Sequence, residues 1–520
     1  MSRASISTGN IQFNTNNDKT PPTSQREHGN PMHIVIMGDF SGRASQGICD
    51  AQLSTRRIIE IDRDNFDDIF SSITPTLHLP ISNTAISFDD IDDLHPDYLI
   101  EQLDIFEQFN TLKRKLKKPE LFAQAVEEIQ QWSSPTTPTT TTTKTTDDTT
   151  NKTTDNITDN EEPTEGIPLP SDMLDNLLAQ SQNTLDEQGA LGDINQLIRR
   201  IVSPYVQAKE NPRLPEMLTC VDDAIATTLR KILHASRFQE LEANWRALYL
   251  LVRRIETSTS LKIFLIDISK DELIQDIHVH ESLEETQSYQ RFVQAFQVAG
   301  AIAPAILQCN YQVEENLKDM ALTQHLAQLA AAHNAVAICG VSEKIAGCHG
   351  FATQHDEWDY LPDTDVMAAW HTLREHQYSQ HIALSAPRFL LRLPYGKKTS
   401  PIDSFPFEEL PTHNTHAYYL WANSNTLVTL ALAQRYTQFG WEFTGQEFNS
   451  PEIDDLPVHI YTDEDGDSAA KAIAEIYITD SEVEQLATHG ILTIRSMKNK
   501  NAVLIPRFRT LCLEEKLILT

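Results

Sequence analysis

The chain has 520 residues, of which 42 are lysine or arginine and 74 are aspartate or glutamate, so its formal net charge is −32. A charge this negative disfavours nucleic acid or an anionic membrane surface as the main partner, because both attract basic surfaces. The length exceeds what a single hydrophobic core supports and predicts about two to four domains.

Cysteine usage and hydropathy indicate a soluble, cytoplasmic protein. The six cysteines are scattered and include no C-x-x-C pair, which favours reduced thiols over a disulfide framework. The first thirty residues are polar and contain no apolar core of a secretory signal. No apolar run is long enough to cross a bilayer, so we expect no membrane insertion.

Residues 1–32 are predicted to be a flexible amino-terminal segment with a short strand at residues 6–13. The apolar run from His33 to Met37 predicts a buried strand, which Gly38-Asp-Phe-Ser-Gly-Arg43 closes. A strand followed by a glycine-containing loop also occurs at nucleotide sites. However, neither G-x-x-x-x-G-K-S/T nor G-x-G-x-x-G is present, so we interpret the loop as a tight structural turn.

The following residues, up to 132, are predicted to alternate between strands and helices. Ile58–Ile61 is a predicted strand, and Phe66–Ile73 is a helix with Asp64 or Asn65 as its N-cap. The acidic run around this helix start suggests a metal site, yet the helix dipole alone stabilises carboxylates in a first turn. Further predictions are strands at 77–81 and 85–88, a helix from 95 to 109 and a helix at 119–132.

Three segments of this part resemble the small contractile-sheath subunit of bacterial type VI secretion systems, the TssB type. They are Gly38-Asp-Phe-Ser-Gly-Arg43, Ile59-Glu-Ile-Asp-Arg-Asp-Asn-Phe66 and Asp93-Leu-His-Pro-Asp97, in matching order and spacing. On this resemblance, residues 33–132 are expected to form a domain like the small sheath subunit.

Residues 133–168 form a Thr-rich segment that predicts a disordered linker. Fifteen of these residues are threonine and none is aromatic, so the segment buries too little apolar surface to fold. Beyond it we expect a helical lead-in at 169–209 and a second folded region at 210–520.

The second region shows a further alternation of helices and strands. Helices are predicted at Leu214–Leu233 and from 238 to 255, with apolar residues every three to four positions, so the two should pack as a hairpin. Residues 261–268 are nearly all apolar, which is typical of a strand covered on both faces. Further predictions are a helix at 323–337, strands at 336–340, 473–478 and 491–496, and a helix at 479–490.

This second region resembles the large contractile-sheath subunit, the TssC type. The similarity rests mainly on Glu242-Ala-Asn-Trp-Arg-Ala-Leu-Tyr-Leu-Leu-Val-Arg-Arg254, Ser385-Ala-Pro-Arg-Phe-Leu-Leu-Arg-Leu-Pro-Tyr-Gly396 and Asp454-Asp-Leu-Pro-Val-His-Ile-Tyr461. The chain therefore resembles a fusion of both subunits. It ends at Thr520, where a large subunit continues for roughly a further domain, so we expect that carboxyl-terminal domain to be absent.

The resemblance implies a structural protein of mixed α/β fold, with sheets flanked by helices, that assembles into a contractile sheath. In that family, sheath subunits stack around an inner tube of Hcp, attach to a baseplate and eject the tube by contraction. The resemblance implies no catalytic residue, no cofactor and no metal. The residues it singles out are expected at interface or fold positions: Trp245, Arg246, Arg388 and Arg392.

An apolar stripe in the helical lead-in suggests a docking element. Met173, Leu174, Leu177 and Leu178 lie at helical spacing, and they would pack either on their own domain or in the groove of a partner. In the sheath family, a helix near the start of the large subunit binds the recycling ATPase ClpV, so the resemblance implies the docking role.

Two other functions stay open at this point. A sheath-like accessory factor that does not polymerise would suit a chain without the carboxyl-terminal domain. A metal-dependent hydrolase would need a ligand set, but candidates such as Cys339, Cys348 and His349 lack a standard zinc spacing. The acidic stretch Asp463-Glu-Asp-Gly-Asp467 has its glycine at the wrong position for a calcium loop and is interpreted as a solvated turn.

Overall fold

The computed structural model describes most of the chain outside the predicted linker. The described residues are 7–8, 11–12, 30–50, 52–79, 85–118, 120–133, 214–296, 302–351, 358–410, 416–442, 451–463 and 465–513. The Thr-rich segment from residue 134 onward and the apolar stripe at 173–178 lie outside them. The chain divides into two compact units, one of Met1–Thr111 with Asp222–Thr520 and a smaller one of Leu112–Val221.

The part before the linker contains two short strands at the amino terminus, followed by alternating strands and helices. In chain order these are β1 (Ser7–Thr8), β2 (Ile11–Gln12), β3 (Met32–Gly38), β4 (Ile58–Ile61), α1 (Phe66–Ile73), β5 (Thr76–Leu77), β6 (Ile86–Ser87), α2 (Pro96–Gln102), α3 (Asp104–Leu116) and α4 (Phe122–Ser133). Within the smaller unit, Lys115 Nζ of α3 lies 2.6 Å from Glu128 Oε2 of α4.

The part after the linker contains the remaining helices and strands. In chain order these are α5 (Leu214–Leu233), α6 (Ser236–Arg254), β7 (Leu261–Asp267), α7 (Lys270–Val279), α8 (Gln287–Phe296), β8 (Ile306–Val313), α9 (Leu317–Ala331), β9 (Val336–Val341), α10 (Thr364–Glu375), β10 (Ile382–Ala386), β11 (Phe389–Leu390), β12 (Trp421–Ala422), α11 (Asn425–Phe439), β13 (Glu452–Ile453), β14 (Ile460–Thr462), β15 (Ser468–Ala470), α12 (Asp480–Thr488), β16 (Ile491–Thr493), β17 (Arg495–Ser496) and β18 (Val503–Leu504).

Seven strands form the central sheet of the larger unit, in the order β16-β10-β9-β8-β3-β7-β4. Neighbouring strands are parallel except β4, which is antiparallel to β7. Strand β3 lies between β7 and β8, so that Ile36 is opposite Leu265 on one side and Gln308 on the other. Every residue of β3 is buried, because a central strand of such a sheet is covered on both faces.

The central sheet combines strands from both sides of the linker. Strands β3 and β4 come from the part that resembles the small sheath subunit, and the other five come from the part that resembles the large subunit. The two domain ranges drawn from the sequence, 33–132 and 210–520, stay a prediction. In the structure, residues of both ranges build the larger unit together.

Helices cover both faces of this sheet. On one face α9 packs against β8, β9 and β10, over an apolar core that includes Val35, Met37 and Leu307. On the other face α11 packs against β8, β9 and α6, where Gln308 Nε2 donates to Thr426 Oγ1 at 3.3 Å. The predicted α/β class, with a sheet flanked by helices, is therefore confirmed.

Several local predictions differ from the structure. The strand predicted at 491–496 is divided into β16 and β17, which belong to different sheets. The helix predicted from 95 to 109 is interrupted at Leu103, whose extended backbone separates α2 from α3. The strand predicted at 473–478 does not form, and Glu475 there has a positive φ of 54°. The helix predicted at 323–337 ends at Ala331, because Asn334 adopts a left-handed turn (φ 51°) before β9.

Cutting the linker tests the shared sheet. We predict that a chain with a protease site inserted within residues 133–168 stays associated after cleavage, because separation would leave β7 and β8 without the backbone partners that β3 supplies. The measurement is native size-exclusion chromatography before and after cleavage. The same sample in urea shows that both fragments were cut, and two folded fragments that elute apart in native buffer would contradict the shared sheet.

Candidate functional site

Two carboxylates fix the loop that follows β3. Asp267, at the end of β7, accepts hydrogen bonds from the backbone N–H groups of Phe40 (2.8 Å) and Ser41 (3.1 Å) and from the Ser41 hydroxyl (2.6 Å). Asp39 accepts from backbone N–H groups further along the loop, including that of Arg43 at 2.7 Å. These carboxylates occupy the donors that a phosphate would need, which supports the interpretation of the loop as a structural turn.

Trp245 is the centre of an aromatic cluster that joins the two parts of the chain. Its indole N–H donates to the carbonyl oxygen of Phe40 at 2.8 Å. Its ring centroid lies 4.4 Å from that of Phe70 and 5.8 Å from that of Phe66. The side chain is fully buried, so the structure places this residue inside the fold, between α6 and the amino-terminal part.

Glu272 links arginines of the amino-terminal part to α7. It forms a capping box with Ser269 at the start of this helix. Its Oε1 also accepts hydrogen bonds from Arg43 Nε at 2.9 Å and from Arg56 Nη2 at 2.6 Å. Because the Glu272 side chain is buried, these charge-assisted bonds are shielded from water.

A buried ionic network surrounds Arg392. Its guanidinium contacts Glu242 (Nε to Oε1, 2.8 Å) and Glu409 (Nη1 to Oε2, 2.8 Å). Arg246 also donates to Glu242 (Nε to Oε1, 2.7 Å), and His234 Nε2 lies 3.3 Å from Glu409 Oε1. Burial alone would raise the pKa of Glu409, but Arg392 and His234 outweigh it and lower this pKa to about 2.

Arg388 belongs to a second ionic network, around Glu475. The carboxylate of Glu475 accepts from the backbone N–H of Arg388 at 2.7 Å and from its Nη2 at 2.8 Å. His416 Nε2 lies 3.0 Å from the same carboxylate. Burial would raise the pKa of Glu475, but Arg388 and His416 together lower it to about 2.

The segment around residue 97 connects the amino-terminal part to the network of Arg392. Asp97 accepts a hydrogen bond from the backbone N–H of Ser404 at 3.0 Å. The His95 ring lies edge-on to Tyr395, with 5.0 Å between centroids, and the Arg392 guanidinium lies 4.2 Å from the centroid of the same Tyr395 ring. The motif that resembles the small subunit thus contacts a loop of the large-subunit part.

The sequence singled out the arginines but not their partners. The structure brings Arg246 and Arg392 together on Glu242, whereas Arg388 lies on Glu475. The sequence does indicate Glu242 as a partner of Arg246, because a glutamate four residues before an arginine on one helix can form an ion pair with it. Glu409 and Glu475 gave no local signal, since a single sequence does not show which isolated carboxylates are buried.

The metal-site alternatives gain no support within the described ranges. No group of three or more His, Cys, Asp or Glu side chains there is placed to hold a metal ion. Cys339 and Cys348 are buried, and His349 Nε2 pairs with Asp359 at 2.7 Å. In the same ranges, no helix combines the length and apolar character needed to span a membrane.

Removing one carboxylate of the Arg392 network should be costly. We predict that Glu409→Gln destabilises the protein by about 3–5 kcal/mol, because a buried guanidinium loses one of its two charged partners. The adjacent Glu408 is exposed, so Glu408→Gln is the matched control and should change the free energy of unfolding by less than about 0.5 kcal/mol. Urea denaturation measures both, and equal effects would contradict the structural role of Glu409.

Stability should fall in acid through Glu409 and Glu475. Their folded-state pKa of about 2 lies below the ordinary value of 4.5, so both carboxylates stabilise the fold above pH 4.5 and lose that contribution as the pH falls towards 2. Each shift corresponds to roughly 3 kcal/mol at neutral pH.

The Glu475→Gln variant tests this pH dependence. We expect its free energy of unfolding, measured in urea at several pH values, to decline less steeply than that of the wild type between about pH 5 and pH 3. Parallel declines of the two proteins would show that Glu475 does not titrate with a lowered pKa.

Comparison with known proteins confirms the resemblance to both sheath subunits. Residues 215–510 match the family described as VipB: EvpB/VC_A0108, tail sheath N-terminal domain. Residues 10–131 match the family described as Type VI secretion system, VipA, VC_A0107 or Hcp2.

One curated relative is the type VI secretion system sheath protein TssC1 of Pseudomonas aeruginosa. It is 30% identical over 293 residues, which is 55% of this chain and 59% of that protein, so the chain spans less than two thirds of this relative. Since the first family match covers more than half of the chain, the protein belongs to the VipB-type tail-sheath family of type VI secretion, and its amino-terminal part matches the VipA-type family.

Proposed function

We propose that this protein is a building block of a type VI contractile sheath, in which one chain supplies both the small and the large subunit parts. The observation that carries the proposal is the position of β3, which belongs to the VipA-like part and lies between two strands of the VipB-like part. Within the larger unit, strands of the two parts therefore share one sheet.

The proposed role is mechanical rather than catalytic. A sheath stores free energy in contacts between subunits and releases it when one set of contacts replaces another. The subunit itself must stay rigid while this happens. The buried networks of Glu242, Glu409 and Glu475 serve that rigidity, because ion pairs shielded from water hold side chains in one arrangement.

The partners follow from the family. We infer that the protein stacks with other sheath subunits around an inner tube of Hcp, attaches to a baseplate in the cytoplasm and is recycled by ClpV. The stripe of Met173, Leu174, Leu177 and Leu178 is the proposed ClpV contact, supported by its helical spacing and its place after the linker. The net charge of −32 supports protein partners over nucleic acid.

Electron microscopy tests the sheath role directly. We expect the purified full chain, alone or mixed with separate large sheath subunits, to form hollow tubes in negative stain. Trp245→Ala should abolish the tubes, because it removes the aromatic contact between the two parts of the block. The matched control is Glu256→Gln, which changes an exposed side chain on the same unit and should leave tube formation intact.

Two other outcomes would count against the proposal. A chain that never forms tubes, but binds preformed sheath ends, would be an accessory factor. A chain that neither forms tubes nor binds sheath would belong to another process altogether.

A further inference from the structure

A cleft of about 480 Å³ opens at the carboxyl edge of the central sheet. Asp39, just after β3, and Asn310 and Gln312 of β8 line it, together with residues at the starts of α6, α7 and α11. After β3 the chain adds β4 and then β7 on one side and later β8 on the other, so the sheet reverses its direction of growth at β3. Ligands of open parallel sheets bind at such reversal points, outside the carboxyl ends of the strands.

The backbone of β8 is irregular at this cleft. Its pairing with β9 shifts between Cys309 and Gln312, and such bulges turn side chains towards functional sites. Gln312 Oε1 and Asn423 Oδ1 both lie over Gly340, where an added Cβ would come within 2.5 Å and 2.1 Å of them. The Gln312 oxygen is buried and has no hydrogen-bond partner among the described residues, so a residue that lines the cleft carries an acceptor without a donor.

The positive side chains that line the cleft are already paired. Lys270 Nζ lies 2.5 Å from Asp319 Oδ2, and Arg388 Nη2 lies 2.8 Å from Glu475 Oε1. Arg237, at the rim, is paired with Glu240 at 3.1 Å. An anionic ligand would therefore have to compete with carboxylates of the protein for each of these cations.

Two carboxylates that line the cleft are not balanced in this way. In the described part of the chain, Asp39 accepts only from backbone N–H groups, and the Glu314 carboxylate makes no ion pair. Burial raises the pKa of Asp39 to about 6, and burial together with the neighbouring Glu315 raises the pKa of Glu314. A cation bound in the cleft would oppose this effect and favour the charged form of both carboxylates.

We propose that this cleft binds an organic cation, namely an ammonium or guanidinium group on a flexible chain. Such a group carries three to five N–H donors and no acceptor. It can donate hydrogen bonds to Gln312 Oε1 and balance the charge of Glu314 or Asp39. The cation comes either from a free amine or from a lysine or arginine side chain of a second copy of this protein.

Titration calorimetry on the full chain tests the proposal, with agmatine as the probe and with glutarate and 1,5-pentanediol as anionic and neutral controls. We expect agmatine to bind and both controls to give no heat. Glu314→Gln should weaken agmatine binding by roughly tenfold to a hundredfold, since a hydrogen bond to a charged group is lost. Glu256→Gln removes an exposed carboxylate elsewhere on the unit and should leave the affinity unchanged.

A steric variant keeps the test informative if charge changes disturb the fold. Ala243 lines the cleft, and Ala243→Phe should block agmatine while leaving the circular dichroism spectrum and melting temperature close to wild type. Absence of agmatine binding to the wild type, preference for glutarate, or equal binding in all variants would overturn the proposal.

The source of the cation is distinguished by light scattering. If a side chain of a second copy fills the cleft, the wild type should associate with rising concentration, and agmatine and Glu314→Gln should each suppress that association. If the ligand is a free amine, particle size should not respond to agmatine although agmatine binds. Both results support the cation site, and the calorimetry alone decides whether it exists. The site does not depend on the sheath role, so a failure to form tubes would leave it standing.

Discussion

The larger unit depends on the insertion of β3 between β7 and β8. A strand in the middle of a sheet donates and accepts backbone hydrogen bonds along both edges, and all of β3 is buried. Without it, both neighbours would expose unpaired N–H and C=O groups at a cost of about 1–3 kcal/mol for each buried group. The amino-terminal part thus supplies a central strand of the sheet. It is not attached to a sheet that the carboxyl-terminal part completes alone.

The side-chain contacts around β3 reinforce this arrangement at its carboxyl end. The backbone of the loop after β3 donates hydrogen bonds to Asp267, and the carbonyl oxygen of Phe40 accepts one from Trp245. Each of these hydrogen bonds joins the amino-terminal part to the carboxyl-terminal part. Glu272 does the same through Arg43 and Arg56. Buried ion pairs of this kind contribute less to stability than to a unique arrangement, because desolvation offsets much of their attraction.

Local structure was predictable from the sequence where a short pattern determines it. The apolar run that forms β3 and the helical periodicity of α5 and α6 each lie within one segment, and the predicted bounds of α1 and α5 agree with the structure. The motifs that resemble the large subunit likewise indicate Trp245 and the arginines as fold or interface positions.

Long-range pairing was not predictable in this way. Asp267 and Phe40 are 227 residues apart, and no local pattern states that β3 pairs with β7 rather than with β4. The partners of the arginines were missed for the same reason, since Glu409 and Glu475 look like ordinary surface carboxylates until the fold buries them. Leu103 fits the apolar spacing of one continuous helix, but its extended backbone divides α2 from α3. Apolar periodicity indicates which side chains are buried. It does not indicate whether the helix is continuous.

Joining both parts in one chain has a physical consequence for assembly. The sheet takes β3 from one part and β7 and β8 from the other, so it needs one copy of each part. If the parts were separate subunits, their rate of association would depend on their concentrations. Residues 134–213 connect the parts here, so β3 meets β7 and β8 within one chain. The effective concentration of the partner strand then does not depend on the protein concentration. A single chain therefore fixes the one-to-one ratio of the two parts. Their strands can pair before one sheath building block contacts another.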